Sequence, residues 1–247
     1  MNTKCIISCA QGLGDWIIIN PIIRILSKTY KEVLVPYNYY SKDFIKNMFS
    51  DISNLSLHLN LENFEHHWLS NSEIINQYAI DNNYDFYNLM LPGKFSKSEF
   101  SVDVNKISMP FNRLIYDQIG LDWETDSKNF YIPINEEESK KFHEILNLPS
   151  EYAFFHESKY GNIDKNHMID KSLKIFIPHM IQNVFLYKYT LEHATEIHVV
   201  DSGFYNFADK LNLNTQKIFL HKIRTKSYST PLLTPILNKN WGFIDYF

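Results

Sequence analysis

With 247 residues, 45% of them hydrophobic and 15% aromatic, the chain holds enough apolar material for one large domain or two small ones and is not composed like a disordered protein. A formal net charge of -4 excludes the broadly basic surface that sequence-independent nucleic-acid binding requires, so no nucleic-acid partner is expected. The longest apolar stretch, Ile17 to Leu26, is interrupted by Asn20, Pro21 and Arg24 and falls short of the ~18 residues of a membrane span. No secretory cleavage pattern follows Lys4, so a cytoplasmic location is expected, with peripheral membrane contact left open.

Short β-rich runs alternate with longer helical ones, the pattern of βαβ units around a mainly parallel sheet. In the first half, strands are expected at Lys4–Cys9, Glu32–Val35, Leu55–Leu59 and Phe86–Leu91, and helices at Trp16–Lys28, Tyr40–Phe49, Asn71–Asp81 and Phe111–Ile119. Cys5 and Cys9 share one face of the first strand about 13 Å apart when extended, too far for a disulfide, and are expected in the core. Gly93 to Val104 is polar and reads as a surface loop.

Tyr131-Ile132-Pro133-Ile134 leads into a helix over Glu136–Leu146, whose Glu136, Glu137 and Glu138 suit its positive N-terminal end. After Pro149 a second series begins, with strands at Tyr152–His156, Leu173–Ile177, Glu196–Val200 and Lys217–Leu220 and helices at Val184–His193 and Phe204–Leu211. The aromatic tail Trp241 to Phe247 suits docking on another surface, of this chain or of a different one. Two βα series predict two Rossmann-like domains, residues 1–135 and 136–247.

Two motifs can carry chemistry. Gly12-Leu13-Gly14-Asp15 ends the first strand and opens the first helix, where a glycine turn brings backbone N–H groups close to a ligand. It is not a full dinucleotide fingerprint, because Ile17 stands where the third glycine belongs, and not a P-loop, because no Gly-Lys-Ser or Gly-Lys-Thr follows. Asp15 reads either as a helix N-cap or first-turn residue, worth roughly 0.5–2 kcal/mol, or as a carboxylate facing a cleft and able to act as a base. Pro21, in the second turn, removes one backbone donor and is expected to bend the helix.

Asp201-Ser202-Gly203 lies between a strand and a helix in the second half. It offers a hydroxyl and N–H groups to a pyrophosphate, or serves as an ordinary cap with a turn glycine. His156 and His179 stand near strand ends at the edge where open α/β sheets bind ligands, unless they are hydrogen-bonded structural histidines. No metal site is expected: His66-His67 are adjacent and cannot easily share one ion, and neither His-Glu-x-x-His nor a paired-cysteine spacing occurs.

Together the two motifs carry a resemblance. Gly12-Leu13-Gly14-Asp15 followed by Ile19-Asn20-Pro21-Ile22-Ile23-Arg24-Ile25-Leu26 resembles the opening of the ADP-heptose:lipopolysaccharide heptosyltransferase family, a Gly-x-Gly-Asp turn, then a Pro and an apolar helix. Leu191-Glu192-His193-Ala194 through Asp201-Ser202-Gly203-Phe204-Tyr205-Asn206-Phe207-Ala208 is similar to the family's donor-site motif, Asp-Ser/Thr-Gly-x-x-His-x-Ala, with Asn206 at the His position. The chain is shorter than typical members.

The resemblance implies a compact GT-B arrangement, two Rossmann-like domains facing each other across a cleft, with acceptor held mainly by the first and nucleotide-sugar by the second. It implies Asp15 as general base for attack of a glycan or glycolipid hydroxyl on the anomeric carbon with inversion, and Gly12 and Gly14 as the residues that make room around it. Asp201 and the N–H groups around Ser202, Gly203 and Phe204 are expected to meet the leaving nucleoside diphosphate, with neither metal nor other cofactor. A cation is expected near the phosphates, Lys159 first, with Lys165 and a protonated His179 behind it, and His156 on the same edge. The alternative is a GT-B-like protein that binds a glycan or nucleotide without catalysis. A nicotinamide-dependent oxidoreductase is disfavoured by Ile17 and by the second phosphate-type motif.

Overall fold

The computed structural model describes residues 3–9, 12–37, 42–60, 68–89, 111–117, 119–157, 162–179, 181, 183–223 and 237–246. The chain divides into two compact units at Pro133/Ile134. The surface loop expected at Gly93 to Val104, the C-terminal end of the fourth expected strand and Lys159 lie outside the described residues.

The first unit is built on β1 (Lys4–Ser8), β2 (Glu32–Tyr37), β3 (Leu55–Asn60) and β4 (Asp85–Asn88), in the order β3-β2-β1-β4. All pairings are parallel, with Cys5 opposite both Val33 and Asp85. The strand order reverses at β1, where β2 lies on one side and β4 on the other. In an open α/β sheet the carboxyl end of such a point is where ligands bind.

Helix α1 (Leu13–Thr29) follows β1, with α2 (Lys42–Met48), α3 (Trp68–Asn82), α4 (Phe111–Asp117) and α5 (Thr125–Asn129) behind it. Every residue of α1 from Trp16 to Arg24 is buried, so this helix is wrapped rather than laid on one face. The helix runs continuously through Pro21. Its polar contacts tie the end of the unit to it: the Asn20 amide donates to the Tyr131 carbonyl (2.9 Å) and accepts from the Tyr131 N–H (3.1 Å). Arg24 donates to the same carbonyl and, through both terminal nitrogens, to the two carboxylate oxygens of Asp51 at 2.8 and 3.0 Å. Cys5 and Cys9 are buried as expected, and burial, then the nearby Asp85 charge, pushes the Cys5 thiol up to about 12.

The second unit opens with α6 (Glu136–Ile145), capped by the Asn135 side chain, which accepts from the Glu137 and Glu138 N–H groups. Five parallel strands follow, β5 (Tyr152–His156), β6 (Lys174–Phe176), β7 (Glu196–Val200), β8 (Ile218–Lys222) and β9 (Gly242–Asp245), in the order β6-β5-β7-β8-β9. This is a 2-1-3-4-5 doubly wound order, and its reversal lies between β5 and β7. One face packs Phe154, Phe176, Tyr187 and Phe204 with ring centroids 5.7–6.3 Å apart.

One expectation needs amendment. The single helix expected over Val184–His193 is a 3-10 turn (Val184–Tyr187) followed by α7 (Lys188–Glu192). Its aromatic and β-branched start has weak helix propensity, and Asn183 caps the tight turn by accepting from the Phe185 N–H. The aromatic tail docks within its own unit, as β9 beside β8. A Cβ on Gly242 would stand 2.7 Å from the Phe219 ring, so a residue without one lets the two strands approach. Between β5 and β6 the described residues include a 3-10 turn (Lys165–His167).

Candidate functional site

Each unit brings one motif to the carboxyl end of its strand-order reversal. In the first, Gly12 to Asp15 follows β1 and opens α1. Gly12 is extended (φ -78, ψ 152), a conformation open to any residue, so its glycine is not required by the backbone angles. It makes room for the carboxylate: the Gly12 N–H donates to Asp15 Oδ2 at 3.0 Å, and a Cβ at position 12 would stand 2.7 Å from that oxygen and push it aside. Of the two structural readings of Asp15, the first-turn one is found: its bond back to the N-cap residue Gly12 fixes the partly exposed carboxylate at the sheet edge. Gly14 lies in the first turn, partly exposed.

In the second unit β7 delivers Asp201, then α8 (Gly203–Lys210) begins with Ser202 as its N-cap residue. Ser202 makes no side-chain cap bond to the helix. Its hydroxyl instead lies 3.0 Å from Nδ1 of His156, the last residue of β5 on the adjacent strand. The His156 ring packs on Phe204 with centroids 4.5 Å apart. Burial lowers the His156 pKa to about 4, so at neutral pH this imidazole offers hydrogen bonds and no charge. Asn206, where the resembled motif carries His, donates its side-chain amide to the Ser202 carbonyl at 3.1 Å and braces the same turn.

His179 is brought to this neighbourhood through its backbone. Its N–H donates to the Tyr187 hydroxyl (3.1 Å), whose proton returns to the His179 carbonyl (2.9 Å), while the Tyr187 ring packs on Phe204. The His179 side chain is exposed. Lys165 is exposed in the 3-10 turn after β5, while Lys159 lies outside the described residues. Among the described residues no group of three or more His, Cys, Asp or Glu side chains is placed to hold a metal ion.

A buried polar chain through Glu196, His198 and His221 was not singled out from the sequence. Its signal was the alternation of Glu196 and His198 in an otherwise apolar strand. No helix among the described residues is long and apolar enough to cross a membrane.

No protein-family model matches the chain, and no curated protein matches it in sequence. Solved structures do. The glycosyl transferase family 9 protein from Veillonella parvula is 10% identical and superposes with a TM-score of 0.58 over 100% of this chain and 88% of its own. ADP-heptose LPS heptosyltransferase II from E. coli is 12% identical, with a TM-score of 0.50 over 98% of this chain and 90% of that one. The iron-containing dodecameric heptosyltransferase TibC, solved with ADP-D-beta-D-heptose, is 12% identical, with a TM-score of 0.51 over 96% of this chain and 66% of that one. At these identities the likeness is one of fold: the chain is α/β with two Rossmann-like units, the GT-B-type fold of these glycosyltransferases.

Proposed function

We propose that the protein is a glycosyltransferase that moves a sugar from a nucleotide-sugar to an acceptor hydroxyl with inversion, residues 1–135 holding the acceptor and residues 136–247 the donor. The observation that carries this reading is the placement of both motifs, Gly12 to Asp15 and Asp201 to Phe204, at the carboxyl ends of strand-order reversals in two parallel sheets. The solved structures that share the fold include one holding ADP-D-beta-D-heptose.

In this mechanism Asp15 takes the proton of the acceptor hydroxyl as its oxygen forms the new bond to the anomeric carbon. The bond from that carbon to the β-phosphate oxygen breaks, and its electron pair leaves with the nucleoside diphosphate. The growing charge meets the N–H groups at the start of α8, the Ser202 hydroxyl and a cationic side chain, Lys165 among the described residues. His156, neutral and paired with Ser202, orients that hydroxyl. Gly12 and Gly14 keep the space beside Asp15 clear.

A second reading, binding without catalysis, is favoured by the engagement of Asp15 with the Gly12 N–H and by Asn206 at the expected His position. Thermal-shift titration with ADP, GDP, UDP and CDP, followed by assay of nucleoside diphosphate release from the matching nucleotide-sugars with a glycolipid acceptor, separates the two. Transfer requires both binding and acceptor-dependent release; binding without release supports the second reading. Absence of binding to any of the four overturns the transferase reading and the nucleotide-binding form of the second.

A further inference from the structure

Across the face of the second sheet that carries Phe155 and Phe219 runs a continuous line of polar side chains. Ile169 N–H and Asp170 N–H donate to the Glu196 carboxylate at 2.7 and 3.3 Å. His198 Nε2 lies 2.7 Å from Glu196 Oε1, and His198 Nδ1 lies 2.8 Å from His221 Nε2. His221 Nδ1 lies 2.7 Å from the Tyr246 hydroxyl, which accepts from the Asp164 N–H at 3.0 Å. Glu196, His198 and His221 are all fully buried.

The bonding pattern fixes where the protons sit. Glu196 receives two backbone N–H groups, so its carboxyl oxygens serve as acceptors and His198 donates to them from Nε2. His198 Nδ1 is then an acceptor, which makes His221 Nε2 the donor and His221 Nδ1 the acceptor for the Tyr246 O–H. In the opposite order the Tyr246 oxygen would accept from both Asp164 N–H and His221, and its own proton would lose His221 as a partner. Every link is thus satisfied with both imidazoles neutral and each protonated at Nε2.

The line also spans the sheet from end to end. Glu196 opens β7 at the amino edge, His198 is at its centre, and Tyr246 follows β9 at the carboxyl edge. The segment from Asp164 to Asp170, part of the connection from β5 to β6, is gripped at both of its ends by this one line. Asp164 is the N-cap of the turn that carries Lys165, and its Tyr246 partner lies at the same edge as His156 and Ser202.

We propose that Glu196, His198, His221 and Tyr246 form a proton-ordered clasp that holds the Asp164–Asp170 segment in place and so positions Lys165 for the donor diphosphate; the role toward the donor rests on the function proposed above. These are positioning residues. Adding a proton to either imidazole sets donor against donor at the 2.8 or 2.7 Å links, so acid opens the clasp. The other titratable groups facing it are His167, 5.8 Å ring to ring from His221, the Asp164 and Glu157 carboxylates near Tyr246, and Asp170 with Lys217 beyond. Burial first, then the neighbouring imidazoles, lowers His221 to about 3, and burial lowers His198, which keeps both neutral at physiological pH.

The test uses the full chain with 15N-labelled imidazoles, amide hydrogen exchange, and titration with ADP, GDP, UDP and CDP. The expected spectra show Nε2 protonated and Nδ1 bare in both His198 and His221. Tyr246→Phe, which keeps the ring, is expected to speed exchange at Asp164 about tenfold and to weaken nucleotide binding by about three- to tenfold. Glu196→Gln is expected to reorder the tautomers as well. A different tautomer pattern, or unchanged exchange at Asp164 in Tyr246→Phe, overturns the clasp. Faster exchange with unaltered nucleotide affinity overturns its positioning role, whereas failure of the wild-type chain to bind any of the four overturns the donor reading while the spectra still decide the clasp.

Discussion

His156 and Ser202 meet across adjacent strands, Nδ1 to Oγ at 3.0 Å, at the point where the strand order of the second sheet reverses. The contact draws the serine hydroxyl away from capping α8 and onto an imidazole that burial keeps neutral. Ser202→Ala removes the hydroxyl and leaves the aromatic packing of His156 on Phe204 intact. It is expected to weaken nucleoside diphosphate binding by roughly 0.5–1.5 kcal/mol while changing the melting temperature little. Calorimetric titration and a thermal melt check the two halves.

Gly12→Ala is expected to act through its neighbour. The new Cβ would stand 2.7 Å from Asp15 Oδ2, so the carboxylate must swing away from the Gly12 N–H. Loss of turnover with the donor KM nearly unchanged is the expected kinetic signature, read from steady-state assays.

Acid should destabilise the protein well before its carboxylates are protonated. Burial holds His156 at about 4 and, with the neighbouring imidazoles, His221 at about 3, and His198 is lowered by burial despite Glu196. The unfolded chain takes up protons on these groups as pH falls through about 6.5, and the folded chain does not. Stability is therefore full above that value and is lost between it and the folded values, at about 1.4 kcal/mol per pH unit for each histidine. Urea midpoints at pH 7.5 and pH 5 measure this; equal midpoints would contradict it.

Arg24→Ala removes a guanidinium that bonds Asp51, the Met48 carbonyl and the Tyr131 carbonyl from a side chain only 10% exposed. Burial acts to raise the Asp51 carboxyl, and Arg24 brings it below its ordinary value. Asp51 is itself partly exposed, which limits the loss to about 3 kcal/mol, measurable by urea unfolding.

Sequence made visible whatever is local. The glycine turns after β1 and β7 announce strand-to-helix junctions, and alternating apolar runs place most of the elements within a few residues. The missed parts depend on register between distant strands. Gly242 and its aromatic neighbours read as a tail because glycine is a poor strand former, and only the Phe219 ring lying against position 242 makes it suitable there. Similarly, Glu196, His198 and His221 become one line only once β7 and β8 are paired with His198 opposite Phe219 and Val200 opposite His221. The role of Asp15 was ambiguous for a different reason, since a capping carboxylate and a general base occupy the same place at a helix start.

Asp15→Asn provides the most direct test, because it keeps the shape of the side chain and removes its basicity. Release of nucleoside diphosphate from the preferred nucleotide-sugar, in the presence of acceptor, should fall by about 10²- to 10⁴-fold with donor affinity unchanged. Turnover by Asp15→Asn equal to that of the wild-type chain would contradict its assignment as the base.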